Sequence, residues 1–342
     1  MTPLVTTPPR VTRSLLARVR DTITRRLRPP YVSLGEGMAN TEVPLPPDAA
    51  EILVAHNPRL VELRRRYGRV SGPLVEHSFW TDRYRKADLD LAYFRGDNAF
   101  VWQQRRMGDL RIKLYLYLQY LEQLDERKLL ATLDEDGAFG CWTYEYTDRP
   151  RVSRDLLDSV NELYFLQRVW SLFERDGFGV LDIGAGYGRL AHRMTAAVPG
   201  LARYYCVDAV PESTFLCEYY LRYREVGDAV TVVAIDELDR VPVGGADLAV
   251  SVHSFSEMSG AAIDEWMRVL LRLDVPSLLV VPNDVEGLMS VEHDGSRKPA
   301  EHIITGAGYE LAAHEPIFGD PNLPELLGVG DQYYFYRRSP GP

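Results

Sequence analysis

The side chains with the types and spacing to do chemistry gather in the second half of the chain. Gly184, Gly186 and Gly188 alternate with Ala185 and Tyr187, directly after the apolar run of residues 179–183 and before a run of helical character. Glycines at alternate positions let a chain turn sharply and approach a ligand closely, because no Cβ fills the space. The pattern predicts a strand-to-helix turn that cradles a nucleotide-like molecule; a plain glycine-rich connector has the same composition. Asp182 sits inside the end of that strand, where an acid accepts hydrogen bonds from an ammonium group or from nearby N–H groups. A second apolar run, residues 204–207, ends on Asp208 with Ala209 behind it, and 208 − 182 places that acid 26 residues after the first. Rossmann-like units place an acid for a ribose hydroxyl at roughly 20 residues.

In an open α/β sheet ligands sit outside the carboxyl ends of the strands, so the residues after each strand form the site list. After the third expected strand come Asp236 and Glu237, where an acid can accept from an adenine amino group or simply face solvent. After the fourth come His253 and Glu257. One turn of helix there would place them on one face, with the carboxylate orienting the imidazole. That pair is acid–base equipment. Histidine, with an ordinary pKa of about 6.5, suits the removal of a hydroxyl proton near neutrality, although His253 could equally line a pocket. After the fifth strand come Asn283 and Asp284, with Glu286, Glu292, Asp294, His293 and His302 further on. Their spacing is not that of a hard-cation site, so no metal is expected.

These positions require elements to hold them. From residue 180 onward apolar strands (180–183, 204–207, 229–234, 247–252, 276–281) alternate with helical runs (187–197, 211–223, 260–273, 297–306). The chain ends on two strands (309–314, 331–337) separated only by a loop. Alternation of this kind means parallel strands with crossover helices, and two adjacent closing strands suit an antiparallel pair. Upstream, residues 49–67 and 110–133 read as helices, the second almost wholly apolar. Ser153 is a candidate N-cap of a further helix whose polar face carries Asp155, Asp158, Asn161 and Glu162. That face either borders a ligand or is solvated. The stretch from Tyr93 to Arg105 is dense in aromatic and amide side chains, including Asp97, Asn98 and Trp102. Such a stretch can bind a polyhydroxylated molecule or plug a seam between domains.

Composition narrows the partners. The chain has 342 residues, a formal net charge of −10 and 46% hydrophobic residues. An acidic protein offers no diffuse positive field for phosphate backbones, so a small molecule is expected rather than nucleic acid. Residues 15–28 form an expected helix with an apolar residue every fourth position among arginines. It suits packing on its own domain or on a second copy of the chain better than a membrane surface, because aromatic anchors are missing. Three cysteines without metal spacing, no apolar run near 18 residues and no signal-type N-terminus point to a reduced, cytoplasmic setting.

The run from Asp182 to Leu190, together with the acid closing the next strand, resembles motif I and its partner in class I S-adenosylmethionine (SAM) dependent methyltransferases. The blocks at 93–103, 153–162 and 253–258 extend the resemblance, over residues 75–337, to sugar O-methyltransferases found with antibiotic glycoside pathways. This implies an α/β fold: a Rossmann-like methyltransferase domain (151–342), a mainly helical acceptor-covering region (46–150) and a basic N-terminal segment (1–45). It implies SAM as cofactor, held by Asp182, Gly184, Ala185, Gly186, Gly188, Asp208, Ala209, Asp236 and Glu237. It also implies transfer of a methyl group to a hydroxyl of a deoxysugar or glycoside, with His253 as base beside Glu257. Asp97, Asn98, Trp102, Asn161, Asn283 and His302 would contact the acceptor. A non-sugar acceptor, or a fold that binds a partner without catalysis, are the alternatives.

Overall fold

The computed structural model describes residues 38–76, 79–80, 90–97, 103, 109–283 and 286–338. The basic helix expected at 15–28, together with Asn98, Trp102 and Asp284, lies outside them.

Seven strands form the central sheet: β1 (Phe178–Ile183), β2 (Leu201–Asp208), β3 (Val230–Ala234), β4 (Leu248–Val252), β5 (Ser277–Val281), β6 (Tyr309–Pro316) and β7 (Gln332–Arg338). Their order is β6-β7-β5-β4-β1-β2-β3. The pairs β1–β2, β2–β3, β1–β4 and β4–β5 are parallel, whereas β7 runs antiparallel to both neighbours. This is the mostly parallel, Rossmann-like architecture expected from the alternation, including the antiparallel closing pair. β1 and β5 are buried along their whole length, which is why they read as continuous apolar runs rather than alternating ones. The direction of strand succession reverses between β1 and β4. That crevice is the topological switch point, where ligands of such sheets bind.

Helices cover both faces. α1 (Pro58–Tyr67) and α2 (Leu110–Glu122) come from the N-terminal part, followed by α3 (Arg154–Trp170), α4 (Arg189–Ala197), α5 (Pro211–Tyr223), α6 (Gly260–Arg272), α7 (Glu301–Gly306) and α8 (Leu323–Leu327). Ser153 caps α3 as expected, its Oγ accepting from the Leu156 N–H at 3.1 Å. The helix expected over 49–67 is in fact two, Ala49–Ile52 and α1. Asn57 caps the second through the Arg59 N–H, and Pro58 takes its first turn, where a missing donor costs nothing. Residues 110–133 likewise divide into α2 and a short helix at Leu129–Thr132. The helix expected to begin at 297 begins at 301, because Arg297–Pro299 pairs with Met289–Val291 as a small antiparallel hairpin.

Candidate active site at the switch point

The glycine loop leaves β1 with Gly184 and Gly186 at φ +76° and +58°, in the left-handed region that suits glycine. The N–H groups of Gly184 and Ala185 both donate to the Val207 carbonyl, tying the loop to the end of β2. Gly184, Ala185 and Gly186 stay partly exposed, whereas Gly188, at φ +88°, starts α4 against α5. A Cβ on Gly188 would stand 3.0 Å from both Cys217 Sγ and Leu221, so this glycine serves helix packing. Gly184 departs from the expectation in an instructive way. Its missing Cβ would fall 1.9 Å from Ser254 Oγ, so the space it vacates belongs to Ser254 and not to a ligand. Ser254 Oγ uses that space to donate to the Gly184 carbonyl at 3.2 Å, pinning the loop to the end of β4.

Asp208 accepts from the Gly186 N–H through Oδ2 (3.0 Å) and from the Val210 N–H through Oδ1 (2.8 Å). Burial raises its pKa to about 6 against the lowering effect of those N–H groups. The Ser213 side chain also hydrogen-bonds this carboxylate, whose roughly four acceptor positions still leave room for a further donor. Asp182 is deeper. It accepts from the Tyr204 hydroxyl at 2.8 Å, and burial raises its pKa to about 7. Ala209 is buried beside Asp208.

The expected polar face of α3 is largely buried: Asp155, Asn161 and Glu162 are enclosed, while Asp158, paired with Arg154, keeps partial exposure. That face grips the loop. The Tyr187 hydroxyl hydrogen-bonds Asp155, which also takes the Arg95 guanidinium, and Arg189 forms a two-point pair with Glu162 (2.7 and 3.0 Å) while also reaching Ser159. Asn161 is fully buried between the Tyr117 hydroxyl and the Ile317 carbonyl. Asp97 is buried too and accepts from the Gln103 N–H. Both shape the core behind the crevice, and Asn161, fully enclosed, has no surface for an acceptor.

Across the crevice His253 ends β4 at φ +65°, a left-handed conformation uncommon for residues other than glycine and enriched in histidine among the exceptions. Its partner is not Glu257. Residues Ser254–Glu257 form a 3₁₀ turn, in which positions three rather than four apart align, and this swings Glu257 away to the Trp80 indole N–H (2.6 Å) and the Asn283 side chain (3.4 Å). His253 Nε2 instead lies 3.2 Å from Asp331 Oδ2, just ahead of β7. Burial pulls the imidazole pKa down, the hydrogen bond and charge of Asp331 push it up, and the net shift is upward. With 38% of its side chain accessible, His253 remains reachable. Asp331 had no sequence signal. The fold brings it 78 residues along the chain to the histidine because β7 inserts beside β5.

The other candidates sit elsewhere. His302 is exposed on α7, which packs against α6 and β6. Asp236 and Glu237 follow β3 as expected, but both carboxylates are held by Arg66 of α1, an arginine the sequence reading passed over. His192 faces a cleft of ≈ 440 Å³ below the loop, lined also by Arg193, Tyr223 and Arg224. Burial, with those arginines, lowers its pKa to about 2, so it stays neutral. Among the described residues no three His, Cys, Asp or Glu side chains group as a metal site, and no helix is long and apolar enough to cross a membrane.

No protein-family profile and no curated protein matches the chain. Solved structures do. The chain is similar to the [4+2]-cyclase SpnF (16% identity, TM-score 0.42, 68% of this chain and 96% of that one covered). It is similar also to a SAM-dependent methyltransferase from Aquifex aeolicus (20%, 0.38, 52% and 92%) and to the mitomycin 7-O-methyltransferase MmcR (18%, 0.39, 54% and 56%).

Proposed function

We propose that the chain is a SAM-dependent O-methyltransferase that acts on a hydroxyl of a sugar or glycoside. The observation that carries this reading is the coupling of loop, acid and base around one crevice: Gly186 donates to Asp208 on one side, and the His253–Asp331 pair stands on the other. The residues suit the cofactor. Gly184, Ala185 and Gly186 stay partly exposed, Asp208 retains acceptor capacity for the ribose, and Asp182 adds an acid at the amino-acid end of the cradle. When bound, SAM supplies an electrophilic sulfonium methyl group.

The protein's part is positioning and proton removal. Asp331 accepts a hydrogen bond from His253 Nε2–H, which leaves the lone pair on Nδ1 to take the acceptor hydroxyl's proton as that oxygen attacks. The negative charge of Asp331 favours the imidazolium that results. Asn283 and Glu257, bridged to each other and to Trp80, form a polar shelf beside an aromatic ring, a combination that suits a polyhydroxylated acceptor. His253→Gln, with SAM affinity unchanged by calorimetry, is expected to lower kcat about 10²–10⁴-fold on a glycoside acceptor. A near-normal kcat with only a raised acceptor KM would assign His253 to the pocket wall.

A further inference from the structure

α1 does not lie over the acceptor side of the crevice. It docks on the opposite flank, against α5 and the turn after β3. Three arginines fix it there. Arg59 makes a two-point pair with Glu218 (3.0 and 2.6 Å), Arg64 meets Glu212 at 2.8 Å, and Arg66 reaches past α5 to the strand ends. Arg66 Nε and Nη2 donate to both oxygens of Asp236 (2.8 and 2.7 Å), and Nη2 also reaches Glu237 at 2.7 Å. A planar guanidinium gripping a carboxylate at two points fixes its rotamer, which a lone acid on a surface turn would not keep. The pairing also holds the Asp236 pKa below the ordinary carboxylate value, so the group remains a pure acceptor.

The next residue completes the arrangement. The Tyr67 hydroxyl, buried, accepts from the Ile235 N–H at 3.1 Å, donates towards the Asp208 carbonyl at 3.2 Å and lies 2.8 Å from Thr214 Oγ1. It therefore sets the separation between the ends of β2 and β3, which lie level where Asp208 pairs with Ala234. Those are the two strand ends that would receive the ribose and the purine.

We propose that Arg66 and Tyr67 are positioning residues for the nucleoside half of the cofactor: Arg66 presents Asp236 to the purine amino group, and Tyr67 gauges the gap between the strand ends. A carboxylate with two acceptor positions on each oxygen can serve Arg66 and an amino group together. This rests on the SAM reading above and extends it to a helix outside the Rossmann-like part.

The test compares the binding of S-adenosylhomocysteine with that of its 6-oxo, inosine-type analogue by calorimetry, in the full chain. The analogue offers an oxygen where adenine offers N–H donors, so an ionised Asp236 repels it. Wild type is expected to prefer the adenine form at least about tenfold, the equivalent of one charge-assisted hydrogen bond. Arg66→Gln, checked for an unchanged melting temperature, is expected to cut that preference to within about threefold. Tyr67→Phe keeps the ring and loses the hydroxyl. It is expected to weaken both ligands alike and leave the preference intact, a split that general destabilisation would not produce. An undiminished preference in Arg66→Gln overturns the proposal, as does tighter binding, which would make α1 a barrier to the ligand. Binding of neither ligand by wild type would remove the SAM reading itself, and this one with it.

Discussion

His253 combines three properties rarely found together: a left-handed backbone, an accessible ring and a carboxylate partner from a distant strand end. The Val281 carbonyl accepts its N–H at 2.7 Å, so the unusual φ is fixed by β5 and the ring is aimed independently of the 3₁₀ turn that follows. Because the imidazole pKa is raised, the base is partly protonated just above its ordinary pKa, and kcat should fall on the acid side with a midpoint above about 6.5. Removing the Asp331 charge removes the cause of the upward shift. Asp331→Asn is therefore expected to move that limb to lower pH, with a lower plateau because the tautomer is no longer fixed. A pH profile of kcat reads this directly, and an unmoved limb would dissociate Asp331 from the base. His253 itself was legible in the sequence from its place after β4. Its partner was not, since a four-residue spacing pairs side chains on an α-helix and the turn here is 3₁₀.

At the scale of elements, the loop is set by its neighbours more than by its own glycines. α3 holds Tyr187 and Arg189 through Asp155 and Glu162, β4 holds the Gly184 carbonyl through Ser254, and β2 takes the N–H groups of Gly184 and Ala185. Behind α3, Glu135 is fully buried and receives Arg95 (2.8 Å), Arg193 of α4 (2.9 Å) and the Ser153 hydroxyl (2.6 Å), which unites the N-terminal part, α3 and α4 at one carboxylate. Burial alone would raise its pKa, but the two guanidinium groups more than offset this and hold it well below the carboxylate range. A depressed acid contributes stability that is present above its unfolded pKa of about 4.5 and is lost only as pH falls through the folded value. Glu135→Gln leaves two buried cations short of a partner, and breaking such a cluster costs about 3–5 kcal/mol. Chemical denaturation should show that loss at pH 7 and a smaller one near pH 3; equal stability at pH 7 would contradict the clamp. Apolar runs revealed most strands to within about two residues, although β2 begins earlier than expected, at Leu201, and the helical pattern gave α5 as it stands. It failed at Pro58 and at the 289–299 hairpin, where proline geometry and a short edge pairing override the run of apolar positions.

Over the whole molecule, the parallel strands and the antiparallel closing pair follow from alternation and loop length, both visible in the sequence, whereas the strand order emerges only in the fold. The docking of α1 does not follow from them. Its arginines gave no signal in the sequence, and only the fold shows that Arg66 and Tyr67 reach the ends of β2 and β3. The molecule therefore has two flanks around one crevice, the β2–β3 side held by α1 and the β4–β7 side carrying His253 and Asp331. The central claim is that the crevice binds SAM through the glycine loop and Asp208. The direct measurement is calorimetric titration of wild type and Asp208→Ala with S-adenosylhomocysteine near pH 7.5, above the Asp208 pKa of about 6. A carboxylate lost to a ribose diol removes charge-assisted hydrogen bonds worth roughly 1.5–3 kcal/mol each, so affinity should fall at least about tenfold while the melting temperature holds. Unchanged affinity in Asp208→Ala, or no binding by wild type, would contradict the account.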